Sequence, residues 1–179
     1  YKGATMLNKL IVLCTIICML IPTISHAKTD DTIDLSGEEW TKRKGIRFGY
    51  TYANKADTSD RLESPHMVSL GFEMQQTMHG GDWLDILYIQ NIMVSGIDQS
   101  VLAPSANVLV GFEINEALQL GVGVNGTIYD PSDQEHYFHL VTAVGWTQQA
   151  GKFSIPVHVA YIPDVKDYYR FAITTGVNW

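Results

Sequence analysis

Apolar residues alternate with polar or small residues from Gly45 to the end of the chain, and this pattern starts afresh eight times. Successive side chains of a β-strand point to opposite faces, so each run predicts a strand with one apolar face. We find no helical periodicity of useful length in this region, which therefore predicts an all-β domain. The predicted strands lie within residues 46–52, 68–75, 83–94, 107–114, 118–125, 138–146, 153–161 and 169–179.

The run 83–94 is the ambiguous one, because Leu87 and Ile89 interrupt its polar face. Asp85 and Asn91 favour an inward position for that face, so we expect all four side chains to point into the domain.

Short and long connections alternate between the predicted strands. Tight turns rich in Gly, Asn or Asp occupy residues 78–82, 115–117 and 149–152. Longer polar links occupy residues 55–65, 97–105, 130–135 and 163–167. Short turns on one side and longer loops on the other are typical of outer-membrane barrels. The sequence predicts an eight-stranded antiparallel up-and-down transmembrane β-barrel over residues 45–179.

A soluble lipocalin-like barrel or sandwich is the alternative, since such folds also use alternating strands. It would turn the apolar faces inward and leave the opposite faces in water. Those faces carry Gly, Ala, Val, Ser and Thr and few Lys or Glu, and charged residues make up only 17% of the chain. Because this is a poor soluble surface, we expect the apolar faces to contact lipid.

The last nine residues alternate and end in an aromatic residue. Their apolar positions are Phe171, Ile173, Val177 and Trp179. With this ending, residues 45–179 resemble the small eight-stranded outer-membrane proteins of Gram-negative bacteria, of the OmpA and OmpX type. The resemblance concerns architecture. It implies an outer-membrane location, contact with lipid and lipopolysaccharide, and recognition of the last strand by the barrel-assembly machinery.

The start of the chain reads as an export signal. Residues 1–5 look like translated upstream sequence, Lys9 follows Met6, and an apolar run ends at Pro22. We expect cleavage after Ala27, because Ser25-His26-Ala27 has the small-x-small pattern of a cleavage site. An uncleaved membrane anchor is disfavoured because the apolar run is too short to span a bilayer. Residues 28–44 are expected to form a periplasmic or plug segment.

Small residues are frequent on the predicted inward faces. We expect either that they ease strand coiling and admit long polar neighbours, or that they leave a water-filled cavity or narrow passage. The glycines are Gly49, Gly71, Gly111, Gly121, Gly123, Gly145 and Gly176.

Four charged residues share the inward face near the end of the tight turns, which we expect to be periplasmic: Arg47, Glu73, Asp85 and Glu113. An ionised group in a narrow interior needs a partner, so we expect a polar network in which Arg47 bridges Glu73 and Glu113. A proton or cation pathway through the same residues is the alternative.

Catalysis is not expected. His136, His139 and His158 form no visible pair with a nucleophile, and no cofactor or metal site is expected because no His or carboxylate pair has reliable ligand spacing. A net charge of -7 disfavours nucleic acid as a partner.

The leading hypothesis for function is an outer-membrane barrel with a structural or surface-binding role. Asp130, Asp133 and Glu135 are candidates for cation bridging to lipopolysaccharide. The alternative is a narrow conduit or a small-ligand-binding barrel that uses the glycine-lined polar interior, and an outer-membrane lipid-modifying enzyme is a distant third.

Overall fold

The computed structural model describes residues 40–54, 64–127, 138–163 and 168–179. Eight antiparallel strands close into a barrel, each paired with its neighbours in sequence, and β8 pairs with β1. The eight-stranded up-and-down barrel predicted from the sequence is therefore confirmed. The strands are β1 (Trp40–Ala53), β2 (His66–His79), β3 (Leu84–Ser95), β4 (Ala103–Ile114), β5 (Leu118–Thr127), β6 (Phe138–Ala150), β7 (Phe153–Pro163) and β8 (Tyr169–Asn178).

The two ends of the barrel differ in their connections. At one end, here called the turn end, short turns join β2 to β3, β4 to β5 and β6 to β7. The β4–β5 turn has positive φ at both central residues, Asn115 (51°) and Glu116 (55°), as in a type I′ turn that matches the twist of a hairpin. The opposite end, here called the loop end, carries the other connections, including a 3₁₀ turn at Ile97–Gln99.

The barrel is apolar outside and polar inside. Phe48, Val110 and Trp146 point outward and are 57%, 54% and 56% exposed. Arg47, next to Phe48, points inward and is 1% exposed. This is the arrangement of a transmembrane barrel and the reverse of the arrangement that a soluble barrel requires. The buried polar side chains include Ser69, Glu73, Gln75, Thr77, Asp85, Glu113, Gln119, Asn125, His139, Thr147, Ser154, His158 and Asn178.

The ambiguous strand β3 has the orientation expected from Asp85 and Asn91. Leu87 and Ile89 point inward with them and are 1% and 7% exposed. They pack with apolar side chains from three other strands into one buried cluster, here called the apolar collar. Its members are Leu87, Ile89, Leu109, Val141 and Ile162. The apolar collar explains why the polar alternation of this strand is broken.

The first strand begins at Trp40, earlier than the predicted barrel start at Gly45. Residues 40–44 were expected in the N-terminal periplasmic or plug segment, but they pair with β2, where Trp40 lies opposite Met78. The reason is that β2 continues to His79 and supplies partners for these residues. The predicted signal peptide, the cleavage site after Ala27 and the rest of segment 28–44 lie outside the described residues. Among the described residues, no helix is long and apolar enough to cross a membrane.

Candidate functional site: the barrel interior

An ion pair between neighbouring strands lies at the centre of the barrel half nearer the turn end, here called the turn half. Arg47 of β1 and Glu73 of β2 both point inward because they share the register of the polar face. The Arg47 guanidinium donates a hydrogen bond to the Glu73 carboxylate and another to the backbone oxygen of Pro156, at 3.3 Å. Each of the two charged side chains is 1% exposed. A buried charge of this kind is tolerated because the opposite charge and the hydrogen bonds offset part of the cost of removing it from water.

Other strands extend this pair across the barrel. The Asn178 amide donates to Glu73 Oε1 at 3.3 Å, and His158 Nδ1 lies 3.8 Å from Glu73 Oε2. His158 Nε2 is 2.7 Å from Gln119 Oε1, and Gln119 Nε2 donates to Glu113 Oε1 at 2.7 Å. We call this connected set the turn-half network. Its members are Arg47, Glu73, Asn178, His158, Gln119 and Glu113, which lie on β1, β2, β8, β7, β5 and β4.

Gly145 makes the central link of the turn-half network possible. It is the Cα partner of both Gln119 on β5 and His158 on β7, so it lies between them. A Cβ atom at this position would be 2.3 Å from His158 Cδ2. The imidazole therefore lies over the glycine and reaches Gln119 across it.

The predicted bridging of both glutamates by Arg47 is wrong for Glu113. Within the part of the chain that the structure describes, Arg47 contacts Glu73, and Glu113 is joined to Glu73 only through Gln119 and His158. The physical reason is that Glu113 lies on β4, across the barrel from β1. Gln119 was not predicted as a site residue, and His158 was interpreted as an isolated histidine. Their inward positions were the only signal that could have identified them.

Asp85 is placed apart from the turn-half network, at the turn end. It is the Cα partner of Glu113, but its Oδ1 accepts a hydrogen bond from the backbone N–H of Gly80 at 3.2 Å and lies 3.2 Å from His79 Nδ1. His79 is 43% exposed, so this pair belongs to the rim of the turn end.

The barrel half nearer the loop end, here called the loop half, contains a cavity of about 90 Å³. All five members of the apolar collar line it, and the side chains of Gln119 and His158 form its floor. Small residues also line it, among them Gly121, Ala143 and Ala160. The cavity is therefore apolar around its middle and polar at the end that meets the turn-half network.

A row of hydrogen-bonded side chains borders the cavity towards the loop end. Arg170 donates to Asn125 Oδ1 at 2.8 Å, Asn125 donates to Asn107, and Asn107 donates to Asn91. All four side chains line the cavity. We call this set the amide row. It was not predicted, although Asn91 was placed on an inward polar face.

The predicted interior glycines all lie on inward faces, but they are of two kinds. At five of them a Cβ atom would come within 3.0 Å of the neighbouring strand's backbone: Gly49, Gly71, Gly111, Gly123 and Gly176. Gly121 has room for a Cβ, which would lie 3.4 Å from Leu109 Cδ2, and Gly145 faces His158. Gly111, Gly121 and Gly145 line the cavity. Aliphatic side chains therefore share the cavity wall with these three glycines and with several Ser, Thr and Asn side chains.

The remaining candidate residues lie on the exterior or outside the described residues. Phe171, Ile173, Val177 and Trp179 point outward, and the backbone of Trp179 pairs with Lys44 through bonds of 2.9 and 3.1 Å. His139 points inward on β6. In the described ranges, no three His, Cys, Asp or Glu side chains are grouped so that they could hold a metal ion. His136 and the candidate lipopolysaccharide ligands Asp130, Asp133 and Glu135 are outside the described residues.

Three solved structures are similar to this chain. The outer membrane protein Ail of Yersinia pestis, in a phospholipid bilayer nanodisc, is 16% identical with a TM-score of 0.41, and the match covers 78% of this chain and 100% of that one. A crystal structure of Ail, the attachment invasion locus protein, in complex with the heparin analogue sucrose octasulfate is 15% identical (TM-score 0.44; 77% and 99% covered). A de novo designed transmembrane β-barrel is 10% identical (TM-score 0.39; 76% and 95% covered). No protein-family model and no curated protein matches the sequence.

Proposed function

We propose that this protein is an outer-membrane barrel that does not conduct ions and has a structural or surface-binding role without catalysis. The observation that carries the proposal is the combination of an apolar exterior on all eight strands with a buried charged network across the interior. The exterior supports a location in the membrane, and the network supports a barrel that is closed to ions.

The exterior supports insertion in a bilayer. Each strand has 10 to 14 residues, which matches the ~10 residues that a tilted strand needs to cross the hydrocarbon core. Outward side chains such as Leu140, Val144 and Ile173 are 53–55% exposed and form an apolar surface around the closed barrel. In water, an apolar surface of this extent would cause aggregation. In a bilayer, the same side chains contact lipid tails instead of water.

The turn-half network supports closure to ions. Arg47, Glu73 and Glu113 are each 1% exposed, so little space remains beside them. Gln119 and His158 continue the same layer across the barrel, at 3% and 8% exposure. An eight-stranded barrel is only just wide enough for side chains to fill, and here long side chains fill its turn half.

Fractionation and conductance test this proposal. We expect the protein in the outer-membrane fraction, with a folded form that unfolds on heating in detergent and shifts in gel mobility. In planar bilayers, the unaltered barrel should give no steady channels, whereas the Arg47→Gly/Glu73→Gly variant, which lacks two large side chains of the network, should conduct. Recovery as a soluble periplasmic protein would refute the membrane location, and steady channels from the unaltered barrel would refute closure.

Assembly through the last strand is part of the proposal. Trp179 ends the strand region that closes the barrel against β1 and is 46% exposed, and Trp146 offers a matched control because it also points outward near the turn end, at 56% exposure. If the assembly machinery reads the end of the chain, Trp179→Ala should lower the amount of folded protein in cells more than Trp146→Ala does. Equal losses would show that Trp179 acts only as an interfacial anchor.

We further propose lipopolysaccharide as the surface partner, bound through divalent cations at Asp130, Asp133 and Glu135. Carboxylates supply the oxygen ligands that Ca²⁺ and Mg²⁺ prefer. We expect the unaltered protein to bind lipopolysaccharide vesicles and EDTA to abolish this binding. The Asp130→Asn/Asp133→Asn/Glu135→Gln variant should not bind the vesicles even without EDTA. Binding unchanged by both treatments would remove the cation-bridging proposal.

A further inference from the structure

We propose that the cavity in the loop half is a binding site for a small uncharged molecule with an apolar body and one hydrogen-bonding group, such as a phenol. This inference goes beyond the structural or surface-binding role. It rests on the side chains that line the cavity and would hold whichever membrane contains the barrel.

The size of the cavity sets the size of the ligand. Its volume is about 90 Å³. For comparison, an engineered apolar cavity of about 150 Å³ in another protein binds benzene. The space here is therefore suited to a single small ring or a short branched chain, and it is too small for a complete lipid.

The walls favour an apolar body. Leu87, Leu109 and Val141 are buried and face the cavity, at 1%, 5% and 1% exposure. Water molecules against such side chains lack hydrogen-bond partners, since an ordered buried water usually makes about three. Replacing them with an apolar ring removes this cost and adds dispersion contacts.

The floor provides a place for one polar group. Gln119 uses one N–H to reach Glu113 and one lone pair of Oε1 to meet His158. An amide has two N–H donors and two acceptor lone pairs, so one of each remains for a ligand hydroxyl. Because Gln119 is held at both ends, its orientation is set before the ligand arrives, which reduces the entropy lost on binding.

The charges at the two ends of the cavity favour an uncharged ligand. Glu113 and the Arg47–Glu73 ion pair lie in the layer beneath the floor, and Arg170 lies in the amide row at the other end. An anion near the floor would be repelled by the Glu113 carboxylate, and a cation near the amide row would be repelled by Arg170. A neutral molecule avoids both repulsions and the desolvation of its own charge.

Small residues keep the cavity open, and replacing them with larger residues would fill it. Ala143 and Ala160 are Cα partners on β6 and β7, and both line the cavity. Their outward neighbours Val144 and Val159 are also Cα partners and are 53% and 45% exposed. Substitutions at Ala160 and Val159 therefore compare the inside and the outside of the barrel at the same height.

Methyl NMR of the barrel in phospholipid nanodiscs tests the site with phenol as the probe. We expect saturable shifts of the Leu109 and Val141 methyl signals during a phenol titration. Ala160→Leu should weaken the apparent affinity at least tenfold, and Val159→Leu should leave it unchanged. Ala143→Leu is the second filling variant, in case Ala160→Leu does not fold.

Two results would overturn the inference. Shifts that rise linearly with phenol and are the same in the inner and outer variants would mean partition into lipid only. Saturable shifts that persist in both Ala160→Leu and Ala143→Leu would place the phenol elsewhere. The proposed membrane location is tested independently by fractionation, so a negative phenol titration would not contradict it.

Discussion

The turn half and the loop half of this barrel are built from the same alternating strands but are filled differently. In the turn half, the interior side chains are long and polar. Hydrogen bonds join Arg47 to Glu73, and Glu113 through Gln119 to His158, whose Nδ1 lies 3.8 Å from Glu73 Oε2. In the loop half, the apolar collar and small residues such as Ala143 and Ala160 leave a cavity.

The difference shows that a narrow barrel can use one half for stability and the other half for binding. Buried charges are stable only when they are paired and hydrogen-bonded, so the turn half has little freedom to rearrange. Aliphatic side chains impose no such demand, so the loop half can leave space for a guest. We infer that the turn half stabilises and closes the barrel and that binding is concentrated in the loop half.

The largest expected effect is the loss of the cation in the turn half. Arg47→Ala should lower the free energy of unfolding by about 3–5 kcal/mol, because it leaves the Glu73 carboxylate buried without its partner. Urea unfolding in lipid vesicles measures this loss, with Lys44→Ala, which changes an exposed outward position, as the control. Adding Glu73→Ala to Arg47→Ala should restore part of the loss. A double variant no more stable than Arg47→Ala would argue against the ion pair.

The next effect concerns the link across the barrel. Gln119→Met keeps the shape of the side chain but removes both of its hydrogen bonds, to Glu113 and His158. We expect a loss of about 1–3 kcal/mol, the cost of leaving a buried group unsatisfied. Gln148→Met on β6, where the side chain is exposed, is the control. An equal change in the two variants would show that the hydrogen bonds of Gln119 to Glu113 and His158 do not stabilise the barrel.

A pair of facing glycines separates backbone packing from cavity space. Gly111 and Gly121 are Cα partners, but a Cβ at Gly111 would lie 1.9 Å from the Leu120 carbonyl oxygen, whereas one at Gly121 has its nearest neighbour at 3.4 Å. Gly111→Ala should cost about 1–3 kcal/mol, as overpacking does. Gly121→Ala should cost little or raise stability by about 0.4–1 kcal/mol. Equal stabilities in urea unfolding would contradict the close approach of β4 and β5.

The smallest effect is expected in the amide row. Asn107→Ala removes the bonds to Asn91 and Asn125, but all three side chains lie at the loop end of the cavity, away from its apolar middle, where water can replace the lost bonds. We expect a loss of about 0.5–1.5 kcal/mol, that of an ordinary hydrogen bond. The same urea series measures it. A loss as large as that of Arg47→Ala would show that polar side chains in both halves depend equally on their hydrogen-bond partners for stability.

Much of the fold could be predicted because alternation is a local signal. The inward or outward position of a residue follows from its parity within a strand, so Arg47, Asp85 and Asn91 could be placed without any contact information. Even the irregular strand β3 followed this rule. The start of β1 could not be predicted from residues 40–44, because their strand conformation depends on the length of β2.

The sequence by itself determined the strand pattern, the apolar exterior and the set of polar side chains inside. Only the tertiary structure decided which of those side chains meet, that Glu113 reaches Glu73 through Gln119 and His158, and that a cavity lies above them. The physical reason is that closure of the barrel and the stagger between its strands set the height of every inward side chain. Contacts across the barrel, such as that between β5 and β7, depend on this stagger and leave no mark in the local alternation.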